Sequence, residues 1–199
     1  MITVIDYGMG NLRSVAKALE LSGRKVRVSG DPKDITGADS IVLPGVGAFS
    51  TGMKNLEALG LIPSIIEAVG KGKPFLGICL GMQLVFEKSR EGEKRPGIGI
   101  LKGSVKKFGS GVRVPHVGWN TVQPRKASAL LEEQASPAYF YFVQSYYAEP
   151  EDRDIILGTT FYGVEFASAV EKDNIYLTQF HPEKSHKRGL ALLNNFCGL

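Results

Sequence analysis

One cysteine lies in a sequence context that could make it a nucleophile. Cys79 is the centre of Gly-Ile-Cys-Leu-Gly at residues 77–81, the cysteine form of a strand-to-helix nucleophile elbow. In such an elbow a tight turn strains the central residue, and the flanking glycines let strand and helix approach closely. The unsatisfied amides and the dipole at the helix start favour a thiolate over a thiol. Considered alone, the pattern fits a buried structural cysteine about equally well.

A histidine and a glutamate two positions apart could complete such a site. His181 and Glu183 are separated by one proline and follow a strand-like segment, and alternate residues of an extended segment face the same side. A carboxylate beside an imidazole fixes its tautomer and supports the imidazolium that forms when a thiol loses its proton. Neither His116 nor His186 is followed by a carboxylate two positions on. We therefore predict a catalytic triad of Cys79, His181 and Glu183.

A cysteine acyl transferase also needs fixed donors for the oxyanion of its tetrahedral intermediate. Losing one such donor typically raises the barrier by about 3 kcal/mol. The amide of Leu80 is one expected donor, because it directly follows the nucleophile. The other is expected from Val46 or Gly47 in the Pro-Gly-Val-Gly turn at 44–47, whose glycines let the backbone turn an N–H toward the site. A plain tight turn is the alternative explanation of that segment.

The first half of the chain alternates strands and helices. Strands are predicted at residues 2–6, 25–29, 40–43 and 75–79. Helices are predicted at 12–19 and 80–88, and a further helical stretch has its apolar part at 59–69. This alternation predicts a mostly parallel sheet covered by helices on both faces, with its sites at the carboxyl ends of the strands. Three glycine-bearing turns, at 7–10, 44–47 and 77–81, should therefore meet in one crevice.

The second half of the chain favours strands separated by glycine, proline and short polar turns. Strands are predicted at residues 100–108, 139–147, 155–161, 168–170 and 175–180, and a last helix at 186–196. The fold class is therefore α/β, with a strand-rich second half. No internal repeat or linker divides the sequence, so residues 1–199 are predicted to form a single domain.

Composition excludes several classes of protein. The chain has 199 residues, of which 43% are apolar and 22% charged, as in ordinary globular domains. Its two cysteines, Cys79 and Cys197, suggest no disulfide framework, and no Cys or His pair has metal-ligand spacing, so we expect neither a metal nor a cofactor. Without a signal-like start or a spanning apolar run, the predicted location is cytoplasmic and away from membranes. The mild net charge of +4 and the scattered basic residues do not indicate nucleic-acid binding.

Three segments together resemble one family. The turn at 44–47, Gly-Ile-Cys-Leu-Gly-Met-Gln at 77–83 and Gln-Phe-His-Pro-Glu at 179–183 resemble class I glutamine amidotransferases, in the same order and with similar spacing. The resemblance implies a flavodoxin-like fold and hydrolysis of glutamine to glutamate and ammonia through a thioester on Cys79. It also implies a pocket for the amino-acid end of glutamine, formed by Gly45, Gln83, Gln144, Ser145 and Tyr146.

Further stretches resemble one group within that family, the glutaminase subunits of imidazole glycerol phosphate synthase in histidine biosynthesis. Pro-His-Val-Gly-Trp-Asn at 115–120 is the most discriminating of these stretches. The resemblance implies a heterodimer with a separately encoded TIM-barrel cyclase, which receives the ammonia. It implies an interface with that cyclase near Asn11, Trp119, Tyr141 and Lys184. The group commonly has histidine at the position of Gln144.

Three alternatives remain open at this level. The chain could be the glutaminase subunit of another synthase, such as pyridoxal phosphate synthase or anthranilate synthase, although the segment at 115–120 argues against both. It could be a different cysteine hydrolase on a similar sheet, although the histidine and glutamate at 181 and 183 favour glutamine as substrate. It could also be a non-catalytic flavodoxin-like binding module whose elbow is a relic.

Overall fold

A computed structural model describes residues 1–91, 95–131 and 137–199. Its strands are β1 (Ile2–Ile5), β2 (Val26–Ser29), β3 (Ser40–Gly45), β4 (Phe75–Cys79), β5 (Phe86–Ser89), β6 (Leu101–Lys107), β7 (His116–Pro124), β8 (Ala138–Gln144), β9 (Tyr146–Pro150), β10 (Ile156–Phe161), β11 (Glu165–Lys172) and β12 (Ile175–Thr178). Its helices are α1 (Leu12–Glu20), α2 (Pro32–Thr36), α3 (Phe49–Ala58), α4 (Leu61–Gly70), α5 (Leu80–Leu84) and α6 (His186–Gly198). Two short 3₁₀ helices lie at Ala129–Leu131 and Pro182–Lys184.

A mixed sheet of nine strands forms the centre, in the order β2-β1-β3-β4-β12-β11-β10-β7-β8. The first five strands of this order are mutually parallel, and the remaining strands add to them in antiparallel pairs. Strands β5, β6 and β9 form a smaller second sheet. The parallel sheet predicted for the first half is confirmed, and the strand-rich second half extends it.

Helices cover both faces of the parallel strands. On one face, α1 and α6 bury Leu19 and Phe196 in a cluster that includes Leu76 of β4. On the other face, α3 and α4 bury Met53 and Ile65. Each large apolar side chain fully buried in this way stabilises the fold by about 1.5–3 kcal/mol relative to exposure. Among the described helices, none is both long enough and apolar enough to cross a membrane.

The prediction of a helix at 80–88 is wrong after residue 84. Helix α5 ends at Leu84, and the following residues form strand β5, which runs parallel to β6. The carbonyl oxygens of Leu84 and Glu87 accept hydrogen bonds from the amides of Ile98 and Gly97, at 2.7 and 2.9 Å. Because these carbonyls bind a distant loop, they are not used to continue the helix. A buried Phe86 also suits a strand better than an exposed helical turn.

Two other predicted elements are divided in the structure. The strand predicted at 139–147 is interrupted at Ser145, whose carbonyl oxygen accepts a hydrogen bond from the amide of Phe108 at 3.2 Å. Its two parts, β8 and β9, belong to different sheets. The helical stretch containing 59–69 is broken at Gly60, where φ is +65°, a conformation that glycine adopts readily. Strand β7, which the sequence did not predict, pairs with β8 along seven positions.

The three glycine-bearing turns meet, as predicted, at the carboxyl ends of β1, β3 and β4. Gly45 and Cys79 are register partners at the ends of β3 and β4. The turn after β1 reaches them through Tyr7, since a Cβ atom at Gly45 would lie 2.2 Å from the Tyr7 hydroxyl oxygen. Sheet topology alone therefore brings three segments of the first half of the chain to one place.

Replacing Gly81 by alanine is expected to destabilise the fold strongly. A Cβ atom there would lie 1.8 Å from the carbonyl oxygen of Leu43, and backbone cannot move aside as a flexible side chain can. We expect Gly81→Ala to lower the free energy of unfolding by about 2–3 kcal/mol, measured by urea denaturation. The control is Gly70→Ala at the end of α4, where a Cβ atom meets open space; it should be neutral or stabilising by up to about 1 kcal/mol. Equal stabilities of the two variants would contradict the close approach of α5 to β3.

Candidate active site

Cys79 joins β4 to α5 in a strained conformation. Its φ and ψ angles are +54° and −106°, a region that residues with a side chain rarely adopt. Strand and helix touch here, since a Cβ atom at Gly77 would lie 3.1 Å from the backbone of Gly81. The residue itself is only 5% exposed. The strained elbow predicted from the sequence is confirmed.

His181 and Glu183 lie directly after β12 and face each other. The Nδ1 atom of His181 is 2.8 Å from Oε1 of Glu183, and the two side chains are 3% and 1% exposed. The other ring nitrogen, Nε2, is buried and has no hydrogen-bond partner among the described residues. A carboxylate on Nδ1 holds the proton on that nitrogen in the neutral ring, which leaves Nε2 free to accept one.

The environment of His181 favours its charged form. Burial on its own lowers the pKa of His181, but interactions with Cys79 and then with Glu183 outweigh it and raise this pKa from 6.5 to about 10. In a site of low dielectric, a negatively charged neighbour stabilises the imidazolium form of His181 strongly. Because the folded-state pKa is raised, this interaction contributes stability that is complete below about pH 6.5 and is lost as the pH rises through about 10.

Strand β8 and the start of α6 hold the histidine backbone in place. The amide of His181 donates to the carbonyl oxygen of Tyr141 at 2.9 Å. The Ser185 hydroxyl donates to the carbonyl oxygen of His181 at 2.6 Å and accepts from the amide of Tyr141 at 3.0 Å. Ser185 is 1% exposed. The backbone of His181 is therefore linked at its amide directly, and at its carbonyl through Ser185, to a strand far away in sequence.

A cleft of about 450 Å³ opens above Cys79. It is lined by Val46, Gly47, Cys79, Leu80, Gln83, Glu91, Pro115, Val143, Gln144, Ser145, Tyr146 and Lys184. All the residues predicted for the oxyanion hole line this cleft. The residues predicted for the glutamine pocket also line it, except Gly45. Gly45 is instead buried in β3 under the Tyr7 hydroxyl. Because Gly45 has no side chain, it leaves room for the Tyr7 hydroxyl. A sequence motif does not show whether a glycine leaves room for a neighbour or contacts a ligand.

Gln83 links α5 to the walls of the cleft. Its Nε2 atom donates to the carbonyl oxygen of Tyr146 at 3.1 Å and to Oε1 of Gln179 at 3.0 Å. Gln179 in turn directs its Nε2 atom to the sulfur of Cys79 at 3.7 Å. Gln179 has no predicted role, although it opens the segment that contains the predicted base. A buried donor beside the sulfur favours negative charge there.

Glu91 is a second residue that the sequence analysis missed. It lines the cleft, and its Oε2 atom accepts a hydrogen bond from the amide of Phe49 at the start of α3, at 2.9 Å. Burial first, and the charge of Glu91 second, raise the pKa of Tyr146. In the sequence Glu91 is one charged residue among several, and nothing distinguishes it from its neighbours. Its position at the cleft depends on the contact with α3.

Strand β8 brings Val143 and Gln144 to the opposite wall of the cleft. The carbonyl oxygen of Val143 lies 4.0 Å from the sulfur of Cys79. Gln144 is 6% exposed, and both atoms of its amide group are buried without a hydrogen-bond partner among the described residues. Its register partner across the strands is His116, whose pKa is lowered by burial. A neutral His116 therefore lies behind this wall.

Three of the four residues predicted for a partner interface form one cluster beside the cleft. Trp119 and Tyr141 are opposite each other on β7 and β8, and Lys184 lies with its Nζ atom 5.9 Å from the centre of the Tyr141 ring. His186 stacks on Trp119 at 5.0 Å, a contact that the sequence did not predict. We call these four residues the Trp119 surface. Asn11, the remaining predicted residue, caps α1 by accepting from the amide of Ser14, at 3.4 Å.

The family model described as "Glutamine amidotransferase class-I" matches residues 3–198. A relative from Aquifex aeolicus (strain VF5), named imidazole glycerol phosphate synthase subunit HisH, is 55% identical over 194 residues, covering 97% of this chain and 94% of the relative. Another from Methanococcus maripaludis, named imidazole glycerol phosphate synthase subunit HisH 1, is 50% identical over 202 residues and is covered, like this chain, over 100% of its length.

Solved structures agree on the fold at much lower identity. A crystal structure of a glutamine amidotransferase superposes with a TM-score of 0.78 at 17% identity, covering 100% of both chains. The structure of PurLQS from Thermotoga maritima gives 0.77 at 19% identity, covering 99% of this chain and 97% of that one. These structural similarities support the α/β architecture. The relatives found by sequence identify the family and the group within it. The chain belongs to the class-I glutamine amidotransferase family, in the group of imidazole glycerol phosphate synthase HisH subunits.

Proposed function

We propose that this chain is the glutaminase subunit of an imidazole glycerol phosphate synthase and that Cys79, His181 and Glu183 are its catalytic triad. One observation carries the assignment of the triad. A strained cysteine lies under an open cleft, beside a buried histidine that interacts with it electrostatically and is oriented by a glutamate. The second ring nitrogen of that histidine has no hydrogen-bond partner among the described residues. This is the arrangement that nucleophilic catalysis with an activated thiol requires. We propose that residues 1–199 act as one unit in the cytoplasm.

In the first step, the Cys79 thiolate attacks the carbon of the glutamine side-chain amide. The carbonyl electron pair moves to oxygen and gives a tetrahedral oxyanion. The amide of Leu80 and an amide of Val46 or Gly47 are the donors proposed to hold that oxyanion. All three residues line the same cleft as Cys79, and each fixed donor is worth about 3 kcal/mol in the transition state.

In the second step, His181 gives its Nε2 proton to the amide nitrogen. The carbon–nitrogen bond breaks, ammonia leaves, and a thioester on Cys79 remains. Water then attacks the thioester while Nε2 takes up a proton from it, and glutamate and the thiolate are released. Glu183 stabilises the imidazolium of the resting state through Nδ1, so the histidine returns to the same protonation state after each turnover.

The charges around the cleft suit the amino-acid end of glutamine. The carboxylate of Glu91 is proposed to bind the α-ammonium group, since it is the acidic side chain among the cleft residues. The backbone at Gln144, Ser145 and Tyr146 is proposed to bind the α-carboxylate. Gln83 holds the carbonyl of Tyr146 in position, so it supports this wall of the pocket.

The partner of a HisH subunit is a cyclase subunit, to which the ammonia passes. We propose that this cyclase is a TIM barrel, that it forms a heterodimer with the chain and that it docks on the Trp119 surface, with Asn11 as a further contact. Trp119 is 45% exposed, and exposed aromatic side chains beside a polar rim are typical of interfaces. Lys184 belongs both to this surface and to the lining of the cleft, so the proposed interface directly adjoins the site where ammonia forms.

Replacing Cys79 tests the proposed nucleophile. Cys79→Ala should lower glutamine hydrolysis by at least about a thousandfold, because the thioester cannot form. The variant should still bind the cyclase with normal affinity and keep its melting temperature, which excludes misfolding as the cause. Cys197→Ala is the matched control, since Cys197 is buried in α6, and it should keep its glutaminase activity. Release of glutamate from glutamine is the measurement, and an active Cys79→Ala enzyme would refute the assignment.

The coupling between the thiol and the imidazole can be measured directly. We expect Cys79→Ala to lower the pKa of His181 from about 10, because the neighbouring negative charge is lost while burial remains. Glu183→Gln should also lower it. The measurement is a pH titration of ¹⁵N-histidine NMR signals, in which His116 and His186 serve as internal references. An unchanged His181 titration in Cys79→Ala would mean that the two groups do not interact.

The proposed docking surface predicts which variants weaken the complex. Trp119→Ala should weaken cyclase binding by at least about tenfold, as expected for a central aromatic side chain. It should also reduce the stimulation of glutamine hydrolysis by the cyclase with its nucleotide ligand bound. Ile66→Ala on α4 is the control, because Ile66 has a similar exposure of 47% but lies on another part of the molecule. Titration calorimetry with the purified cyclase gives the affinities, and equal values for the two variants would exclude the Trp119 surface.

A further inference from the structure

Tyr7 carries a buried hydroxyl group that the triad and the glutamine pocket do not explain. The residue lies just after β1, its side chain is fully buried, and its hydroxyl has no hydrogen-bond partner among the described residues. Its backbone is fixed, since the Nδ2 atom of Asn55 on α3 donates to the Tyr7 carbonyl oxygen at 2.9 Å. A phenylalanine would fill the same apolar space without leaving a buried polar group unpaired, and such groups are rare unless they have a function.

The hydroxyl lies against the proposed oxyanion turn. A Cβ atom at Gly45 would be 2.2 Å from the Tyr7 oxygen and 2.9 Å from Cβ of Leu80. The hydroxyl therefore occupies the side-chain space of Gly45, which is the register partner of Cys79 and directly precedes Val46. It touches the strand end that carries one group of oxyanion donors, next to the strand end that carries the nucleophile.

The hydroxyl also interacts electrostatically with the nucleophile. Burial first, and the negative charge of Cys79 second, raise the pKa of Tyr7 far above its ordinary value. The group therefore stays a neutral O–H donor throughout the working range of the enzyme. In a buried site of low dielectric, the dipole of an unpaired O–H group acts more strongly on a nearby thiolate than it would in water.

We infer that Tyr7 is a positioning residue of the glutaminase reaction, whose buried O–H group keeps the turn at 44–47 against the Cys79 elbow and favours negative charge on the sulfur. This inference rests on the proposed role of Cys79 as nucleophile. Because its side chain is fully buried, Tyr7 acts through Gly45 and Cys79 and does not touch the substrate. A donor beside a charged sulfur is preorganised when, as among the described residues, no other hydrogen bond has to break before it acts.

Tyr7→Phe separates this role from a structural one. The variant keeps the ring and removes only the hydroxyl. Because the hydroxyl has no hydrogen-bond partner among the described residues, the melting temperature should be unchanged or higher. With the cyclase and its nucleotide ligand bound, kcat for glutamine should fall by about tenfold while KM stays within about twofold. Alkylation of Cys79 by iodoacetamide at neutral pH, followed by mass spectrometry, should slow by a similar factor.

Tyr176→Phe is the matched control, because Tyr176 is also buried but packs on Phe196 of α6. It should leave kcat and the alkylation rate unchanged. A Tyr7→Phe enzyme with normal kcat and normal alkylation would overturn the inference, as would a lower melting temperature with unchanged alkylation. Cys79→Ala keeps the two proposals apart. If that variant is inactive while Tyr7→Phe is normal, only the role of Tyr7 fails; if it is active, the proposed function fails.

Discussion

The contact between β4 and α5 fixes the geometry on which the rest of the site depends. Cys79 has a positive φ, which costs a residue with a side chain about 1–3 kcal/mol. The surroundings hold it there, because α5 passes so close to β3 that only glycine fits at position 81. This strain places the sulfur above the end of the strand, at the start of α5, where the amide of Leu80 follows it directly. A relaxed backbone at Cys79 would turn the sulfur away from both.

Strand order then supplies the other groups. Strand β4 lies between β3 and β12, and all three run parallel, so their carboxyl ends open at one edge. One neighbour ends in the turn at 44–47 and the other leads to His181. The 102 residues that separate His181 from Cys79 (181 − 79) are therefore irrelevant to their distance in space. The antiparallel strands β7 and β8 return to the same edge of the sheet. They place the carbonyl oxygen of Val143 near the sulfur of Cys79.

The features that the sequence predicted are those that local spacing determines. The periodic spacing of apolar residues predicted the parallel half of the sheet. The spacing of two positions predicted that His181 and Glu183 form a pair. The errors lie where distant contacts decide the conformation. Strand β5 exists because a loop at residues 97–101 takes the carbonyls that a longer helix would use. Gln179 and Glu91 reach the site through contacts with α5 and α3. The hydroxyl of Tyr7 is notable only because it has no hydrogen-bond partner in the part of the chain that the structure describes. No pattern within a short window carries that information.

Strand β8 connects His181, the proposed base, to the proposed docking surface. Tyr141 contributes its ring to the Trp119 surface and its carbonyl oxygen to the amide of His181, and the Ser185 hydroxyl bridges both backbones. A protein that docks on this surface and moves β8 by a fraction of an ångström would therefore move the imidazole with it. Hydrogen bonds at both ends of the histidine leave little freedom to absorb the shift, and close-packed cores transmit small displacements. If the partner docks as proposed, glutamine hydrolysis should depend on it even though all three groups of the proposed triad belong to this chain, because the docking surface includes the strand to which His181 is hydrogen-bonded.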